Sequence, residues 1–284
     1  MQTIKAGSSR LTRRKLLGAG ALAMVGFAES CRRPALAQTM TPMVKRDPTD
    51  AERKVVRDYH TRGAKVLFED NFQSRAKFEE NWTVFTDNRS DLKACRTAQS
   101  LAISDKGLAI NTIKAEHCIA PWSTGEIVSK QAFQHGLFEA YMQIAHGPGV
   151  DNAFWLTSQK PLADGTGDTF EIDVAETYYP SLIRSTLHRH NLDKHIDRYE
   201  TGNNNPAREN LANGFHDYGV LWTPTALIFC LDGEAFKTIE TNGTVTGPAN
   251  LRLSTALAAA FGGNPPDDPR GLTMNVMHVR VLGL

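Results

Sequence analysis

Glu171-Ile172-Asp173-Val174-Ala175-Glu176 sets three carboxylates within an otherwise apolar, β-prone run. In a plain strand side chains alternate faces, so Glu171 and Asp173 share one face while Ile172 and Val174 enter the opposite layer. Glu176 has the wrong parity. It returns to the acidic face only if the strand absorbs one extra residue, and Ala175 is small enough to sit in such a β-bulge. With the bulge, Glu171 and Glu176 stand four effective steps apart, roughly 13 Å between Cα atoms at about 3.3 Å per residue. Two glutamates leaning together across that gap bring their carboxyls to about 5–6 Å. At that separation one carboxylate attacks an acetal carbon while the other protonates the leaving oxygen. The same residues also suit an edge strand with a solvated acidic face, and context decides between the two.

Outward from this strand, short apolar or alternating runs recur between Gly, Pro, Asn and Asp. They include Lys65–Phe68, Leu108–Ile113, Gly125–Ser129, Gly136–Ile144, Ala153–Thr157, Tyr218–Trp222, Leu227–Leu231, Leu251–Leu257 and Val276–Leu282. Many strands and almost no 3.6-residue apolar periodicity indicate an all-β chain, an antiparallel β-sandwich of the jelly-roll kind with a cleft on its concave sheet. Asn191 to Gly214 is polar and Asn-rich and reads as a surface loop with a helical turn, of the sort that shapes a binding cleft.

Residues 1–37 read as an address. Thr12-Arg13-Arg14-Lys15-Leu16-Leu17 is a twin-arginine motif, Leu16–Ala28 is an apolar run too short to span a bilayer as a stable helix, and Ala35-Leu36-Ala37 offers a cleavage site. Cys31 raises a lipoprotein alternative that Glu29 weakens. The expectation is export from a bacterial cytoplasm by the twin-arginine translocase, to the periplasm or outside the cell. Residues 38–63 read as a polar linker with one short helix, Pro48 to Tyr59, whose N-cap region is Thr49-Asp50. Residues 64–284 are long enough for one large sandwich domain.

Of 32 basic and 31 acidic residues, the leader holds seven and one, so the remainder carries 25 and 30, a formal −5. That balance argues against nucleic acid or an anionic membrane surface as the main partner. Cys95 and Cys118 bracket a candidate disulfide loop, and Cys230 reads as a small core residue. Twin-arginine substrates fold before export, so such a bridge is not needed for folding.

Several motifs in order spell a family. Val66-Leu67-Phe68-Glu69-Asp70-Asn71-Phe72 with Asn81-Trp82 looks like its opening strand, and Thr124 to Lys130 then Gly136 to Ala140 like its central hairpin. Ala153-Phe154-Trp155-Leu156 precedes the acidic strand. Phe215-His216-Asp217-Tyr218, Leu221-Trp222-Thr223-Pro224, Leu231-Asp232-Gly233, Phe261-Gly262-Gly263-Asn264 and Val279-Arg280-Val281 complete the set. From about Val66 to Val281 the chain resembles glycoside hydrolase family 16, the retaining laminarinase, lichenase, agarase and carrageenase group. The resemblance implies Glu171 as nucleophile, Glu176 as general acid/base and Asp173 as the group that tunes the nucleophile. Charge supports such a division, since two carboxylates about 5 Å apart repel by about 3 kcal/mol at an effective dielectric near 20. One of the three therefore keeps a proton.

The implied activity is retaining endo-hydrolysis of a β-linked polysaccharide, without organic cofactor or catalytic metal. The motif with its extra residue resembles the laminarinase, agarase and carrageenase branch, which favours β-1,3-glucan or galactan. Departures fall where substrates are read. Laminarinases usually place Trp-Pro where this chain has Asp151-Asn152, and the expected Arg is Tyr141. Many members hold a structural calcium through the Asp of a closing V-D-Y-V, here Val276-Met277-His278-Val279, so calcium is disfavoured.

Trp155 adjoins the acidic strand and reads either as core or as a sugar platform, Trp122 as core or cleft wall, and Trp82 and Trp222 as core. His188-Arg189-His190, with His195 nearby, has a spacing zinc accepts, against which its loop-like flanks count; the resemblance, with a cleft histidine often at this strand end, implies a substrate contact for His188. Two other readings stay open: a non-catalytic carbohydrate-binding jelly roll, against which the three intact acids count, and a transglycosylase sharing the glycosyl-enzyme. The expected form is a monomer with no stable membrane association.

Overall fold

Period-two alternation is realised along the strand Thr169–Tyr178, where Phe170, Ile172 and Val174 are buried against the second layer while Glu171 keeps to the opposite face. The computed structural model describes residues 43–89, 93–191, 196–207, 209–257 and 264–284. The expected leader, His195 and Phe261-Gly262-Gly263 lie outside the described residues.

Two antiparallel sheets face one another. Among the described residues the inner sheet runs in the order Ile196–Pro206, Leu182–Asn191, Thr169–Tyr178, Val150–Ser158, Ala249–Leu257, Glu126–Phe133 and Trp82–Val84. The outer sheet runs Val44–Arg46, Glu234–Glu240, Ala226–Leu231, His216–Trp222, Gly136–Gln143, Thr273–Leu282, Gly107–Asn111 and Leu101–Ser104, with Val66–Asp70 also paired to Thr273–Leu282. A small third sheet joins Asp87–Arg89, Ala94–Arg96, Trp122–Thr124 and Ile113–Lys114. Cys95 and Cys118 are bridged there, with Cα atoms 5.5 Å apart.

The core between the layers draws Phe154, Phe170, Ile172, Leu251 and Leu253 from the inner sheet and Phe138, Trp222, Phe229, Val279 and Val281 from the outer. Trp222 packs at 5.8 Å on Phe138 and 5.5 Å on Phe170, joining the layers beneath the acidic strand. Each such side chain contributes about 1.5–3 kcal/mol by leaving water. Trp82 is also core, its indole N–H donating to Asp70 at 3.0 Å.

Two segments differ from the sequence reading. The stretch expected to be a linker is built into the domain from residue 43 onward. Val44–Arg46 pairs with Glu234–Glu240, and the helix Asp50–Arg57 starts at a capping box between Thr49 and Glu52. Val56 and Tyr59 pack under Leu137, Leu221 and Ile228 of the outer sheet, and the Tyr59 hydroxyl donates to the Gly283 carbonyl at 2.7 Å. Its few apolar residues are enough because one helix face suffices to cover that patch. The Asn-rich stretch expected as a loop carries the edge strand Ile196–Pro206, paired along its length with Leu182–Asn191. An edge strand is held by main-chain hydrogen bonds and needs no apolar alternation, so its composition does not reveal it.

Candidate active site

The register around the acidic strand places the bulge. Toward Val150–Ser158, Glu171 faces Thr157, Asp173 faces Trp155, and after a shift Ala175 faces Phe154 and Glu176 faces Ala153. Toward Leu182–Asn191, Glu171 faces His188, Asp173 faces Thr186 and Glu176 faces Arg184. Val174 and Ala175 together span the place of Ser185, and both are buried. Two successive inward side chains correct the parity, so Glu171, Asp173 and Glu176 all project from the cleft face.

On this face the acids sit among specific partners. His188 Nε2 lies 3.1 Å from Asp173 Oδ2, and Arg184 Nη1 lies 3.3 Å from Glu176 Oε2. Burial first, and the Asp173 charge second, push the Glu171 carboxyl up to about 8, against the pull of His188 and Arg252. Burial, then Asp151, then Asp173 push Glu176 further, to about 9, against Arg184. Asp151 is pushed up to about 7 by burial, with the Tyr178 hydroxyl opposing. Both glutamates are held toward the neutral form, and Glu176 has Asp151 as well as Asp173 against its ionisation. A buried acid among like charges keeps a proton that a solvated one loses.

A basic and aromatic flank adjoins this acidic centre. Glu126 is fully buried between Arg96 and Arg252, both in hydrogen-bonded contact with it. The Arg252 guanidinium lies 4.7 Å over the Trp155 ring and 5.5 Å over Phe85, and Arg96 lies 5.3 Å over Phe85 from its own side. Trp155 is oriented by its indole N–H, which donates to Ser254 Oγ at 3.0 Å. Cations on aromatic faces hold rings in one orientation, which suits a platform for a pyranose.

Of the residues singled out from sequence, Glu171, Asp173, Glu176, Trp155 and His188 meet on one face. Trp122 does not join them. It is buried with Val150, Leu257 and Leu272, one ring face carries Lys114 Nζ at 4.0 Å, and it borders a pocket of about 250 Å³ with Asn264 and Pro265. Asp151, Tyr178, Arg184, Glu126 and Arg252 escaped the sequence reading as members of the site. Parity along each neighbouring strand was the one available signal, and it needs the cross-strand register to be useful.

Glu171, Asp173 and His188 offer ligand-type atoms within 4.8 Å of one another, as do Glu209, His216 and Asp232. The His188–Asp173 bond accounts for the first approach, and the His216–Asp232 bond at 2.8 Å for the second. Where related chains have the calcium aspartate, the Met277 side chain presents no oxygen and neighbouring His278 stacks on Tyr141 at 5.3 Å, so that position offers no carboxylate for a hard cation.

The family profile of Glycosyl hydrolases family 16 matches residues 80–275. Among curated proteins the chain is similar to two endo-1,3-1,4-beta-glycanases of Rhizobium meliloti (strain 1021). It is 28% identical to EglC over 182 residues and 26% identical to ExsH over 181. Each match covers 62% of this chain and 37% of the relative, so the chain spans little more than a third of the length of the curated relatives it matches. The laminarinase catalytic domain of Thermotoga maritima MSB8 superposes with a TM-score of 0.66 at 15% identity, covering 78% of this chain and 98% of that one. Porphyranase B of Zobellia galactanivorans does so with a TM-score of 0.62 at 18% identity, covering 77% and 92%. At these identities the superpositions establish the sandwich fold. The sequence match takes in the bulged strand and both strands beside it, and the chain belongs to glycosyl hydrolases family 16.

Proposed function

We propose that the protein is an endo-acting glycosidase that cleaves a β-linked polysaccharide, a glucan with β-1,3 linkages or a galactan, with retention through a covalent glycosyl-enzyme. The observation that carries this reading is the bulge at Val174-Ala175, which sets Glu176 on the face of Glu171 and Asp173. Glu171, raised by burial and Asp173 with His188 and Arg252 opposing, attacks the anomeric carbon once ionised. Glu176, kept protonated by burial and by Asp151 and Asp173, gives its proton to the departing oxygen as the glycosidic bond breaks. Glu176 then takes a proton from water, whose oxygen bonds the anomeric carbon and releases Glu171. Asp173, held by His188, lies between the two glutamates along the strand, beside the developing oxocarbenium. The cycle draws on side-chain carboxylates, without a cofactor, in a monomer.

The substrate class rests on the names of the relatives, endo-1,3-1,4-beta-glycanases among them, and on the spacing with its extra residue. The twin-arginine motif supports passage through that translocase to the periplasm or the medium. Reducing-end release from laminarin, lichenan, agarose and carrageenan tests the reading, with product anomers followed by NMR. Release from one polymer with β-configured product, abolished in Glu171→Gln, supports it. Inverted product, or release that survives Glu171→Gln, sinks it.

A further inference from the structure

Asp151 stands where laminarinases usually place a tryptophan, and the sandwich puts its carboxyl against the acid/base. On Val150–Ser158 it shares the cleft parity of Ala153, and Ala153 faces Glu176 across the ladder. Its carboxyl is buried, and the Tyr178 hydroxyl and the Glu176 carboxyl are near enough to act on its ionisation. Its second oxygen, Oδ1, is buried without a protein partner. Two neighbouring carboxyls out of water cannot both ionise cheaply, and one proton between them is the low-energy state.

The surroundings say where that proton sits. The Tyr178 hydroxyl favours the ionised form of Asp151. Arg184, opposite Glu176 at 3.3 Å, pulls the other way. Asp173 and Glu171, from the same strand as Glu176, repel its ionised form. His188 engages Asp173, Arg252 engages Glu126 on the far flank, and Lys237 reaches the Ser185 carbonyl from the outer sheet. Three carboxylates against one long arginine contact leave the proton on Glu176.

We propose that Asp151 is a positioning residue for the acid/base, its carboxylate accepting the Glu176 proton in a shared hydrogen bond that holds it ready for the leaving oxygen. The proposal rests on the acid/base role given to Glu176 above. In the first step the Glu176 O–H bond breaks, its proton goes to the leaving oxygen, and the pair then carries two negative charges. Their repulsion makes Glu176 the stronger base for the second step. It takes a proton from water as the water oxygen bonds the anomeric carbon and the bond to Glu171 breaks. The pair returns to one proton and one charge.

Asp151→Asn in the full chain tests this through the pH dependence of kcat and KM on whichever polymer the wild type cleaves. The expected result is a basic limb displaced downward by at least one pH unit, with KM within about twofold of wild type, since a neutral amide no longer raises Glu176. A basic limb that stays in place overturns the proposal. Carboxyl carbon-13 titration of the wild type, assigned with Glu176→Gln and Glu171→Gln, judges the pair without activity or a refolded variant. Two steps that both report on the pair, the second on Glu176 well above the ordinary carboxylate range, support it. Glu176 titrating within that range, or without sensing Asp151, overturns it. Wild-type turnover that survives Glu171→Gln would strike the functional reading, while the titration still reports on the pair.

Discussion

Ser185 donates its hydroxyl to the Val174 carbonyl at 2.8 Å, at the point where two residues of the acidic strand span one residue of its neighbour. A bulge frees main-chain groups from the ladder, and this bond captures one of them. Ser185→Ala leaves that buried carbonyl without its donor, at a cost of about 1–3 kcal/mol. The expected outcome is that loss in urea unfolding, with kcat down roughly 10–100-fold as Glu176 shifts from its place and KM little changed. Wild-type kcat in a destabilised variant would separate the bulge from catalysis.

The carbonyl of the same Ser185 accepts from Lys237, a buried amine whose Nζ also lies 5.6 Å over the Phe229 ring. Burial first, then Lys45 and Arg184, lower this amine to about 8 from its usual 10.5. Between those values the unfolded chain binds more protons, so this group makes stability rise with pH across that window. The difference in melting temperature between wild type and Lys237→Met should therefore change between pH 8 and 10 in the wild type's favour. A constant difference rules out a depressed amine.

The acids act with the opposite sign. Asp151, Glu171 and Glu176 are raised to about 7, 8 and 9 in the folded protein. Their contribution is fully present below about pH 4, the unfolded range, and is lost as pH rises through the folded values. Glu176→Gln removes one such group, and its melting temperature at pH 8 should exceed wild type by a few degrees, at about 2–4 °C per kcal/mol for this size. A less stable variant at pH 8 would contradict the strained cluster.

Activity should follow the same order. The acid limb of kcat/KM reports ionisation of Glu171 and the basic limb the proton on Glu176, so both limbs should lie above the ordinary carboxylate range. Glu176→Gln should lose roughly 100- to 10,000-fold on polysaccharide and far less in the first step on an aryl glycoside with a good leaving group. Equal losses on both substrates would remove Glu176 as the acid.

Trp155 is held between Ser254 and Arg252 and faces Asp173. Trp155→Phe forfeits the Ser254 bond and part of the ring area. If the ring supports a sugar, KM rises roughly tenfold, about 1.4 kcal/mol, with kcat within a few-fold. A kcat loss without a KM change would place the ring's role in shaping the acids instead.

Local pattern was enough for much of the sandwich. Phe170, Ile172 and Val174 alternate with Glu171 and Asp173, and the parity of Glu176 demands the bulge found at Val174-Ala175. Thr49-Asp50 marked the start of the helix Asp50–Arg57. Leu182–Asn191, Glu234–Glu240 and the edge strand Ile196–Pro206 are not legible from local pattern, because strands rich in polar residues and held by main-chain pairing leave no clear apolar period behind.

The sequence by itself determined which residues alternate, which acids share a strand and that one residue had to be absorbed between Asp173 and Glu176, because those facts depend on near neighbours along the chain. Tertiary structure alone decided that Asp151 meets Glu176 across a ladder, that Arg252 covers Trp155, and that Lys237 crosses the core to Ser185. Those contacts depend on register between strands distant in sequence, where a slip of one residue would turn every side chain to the other face.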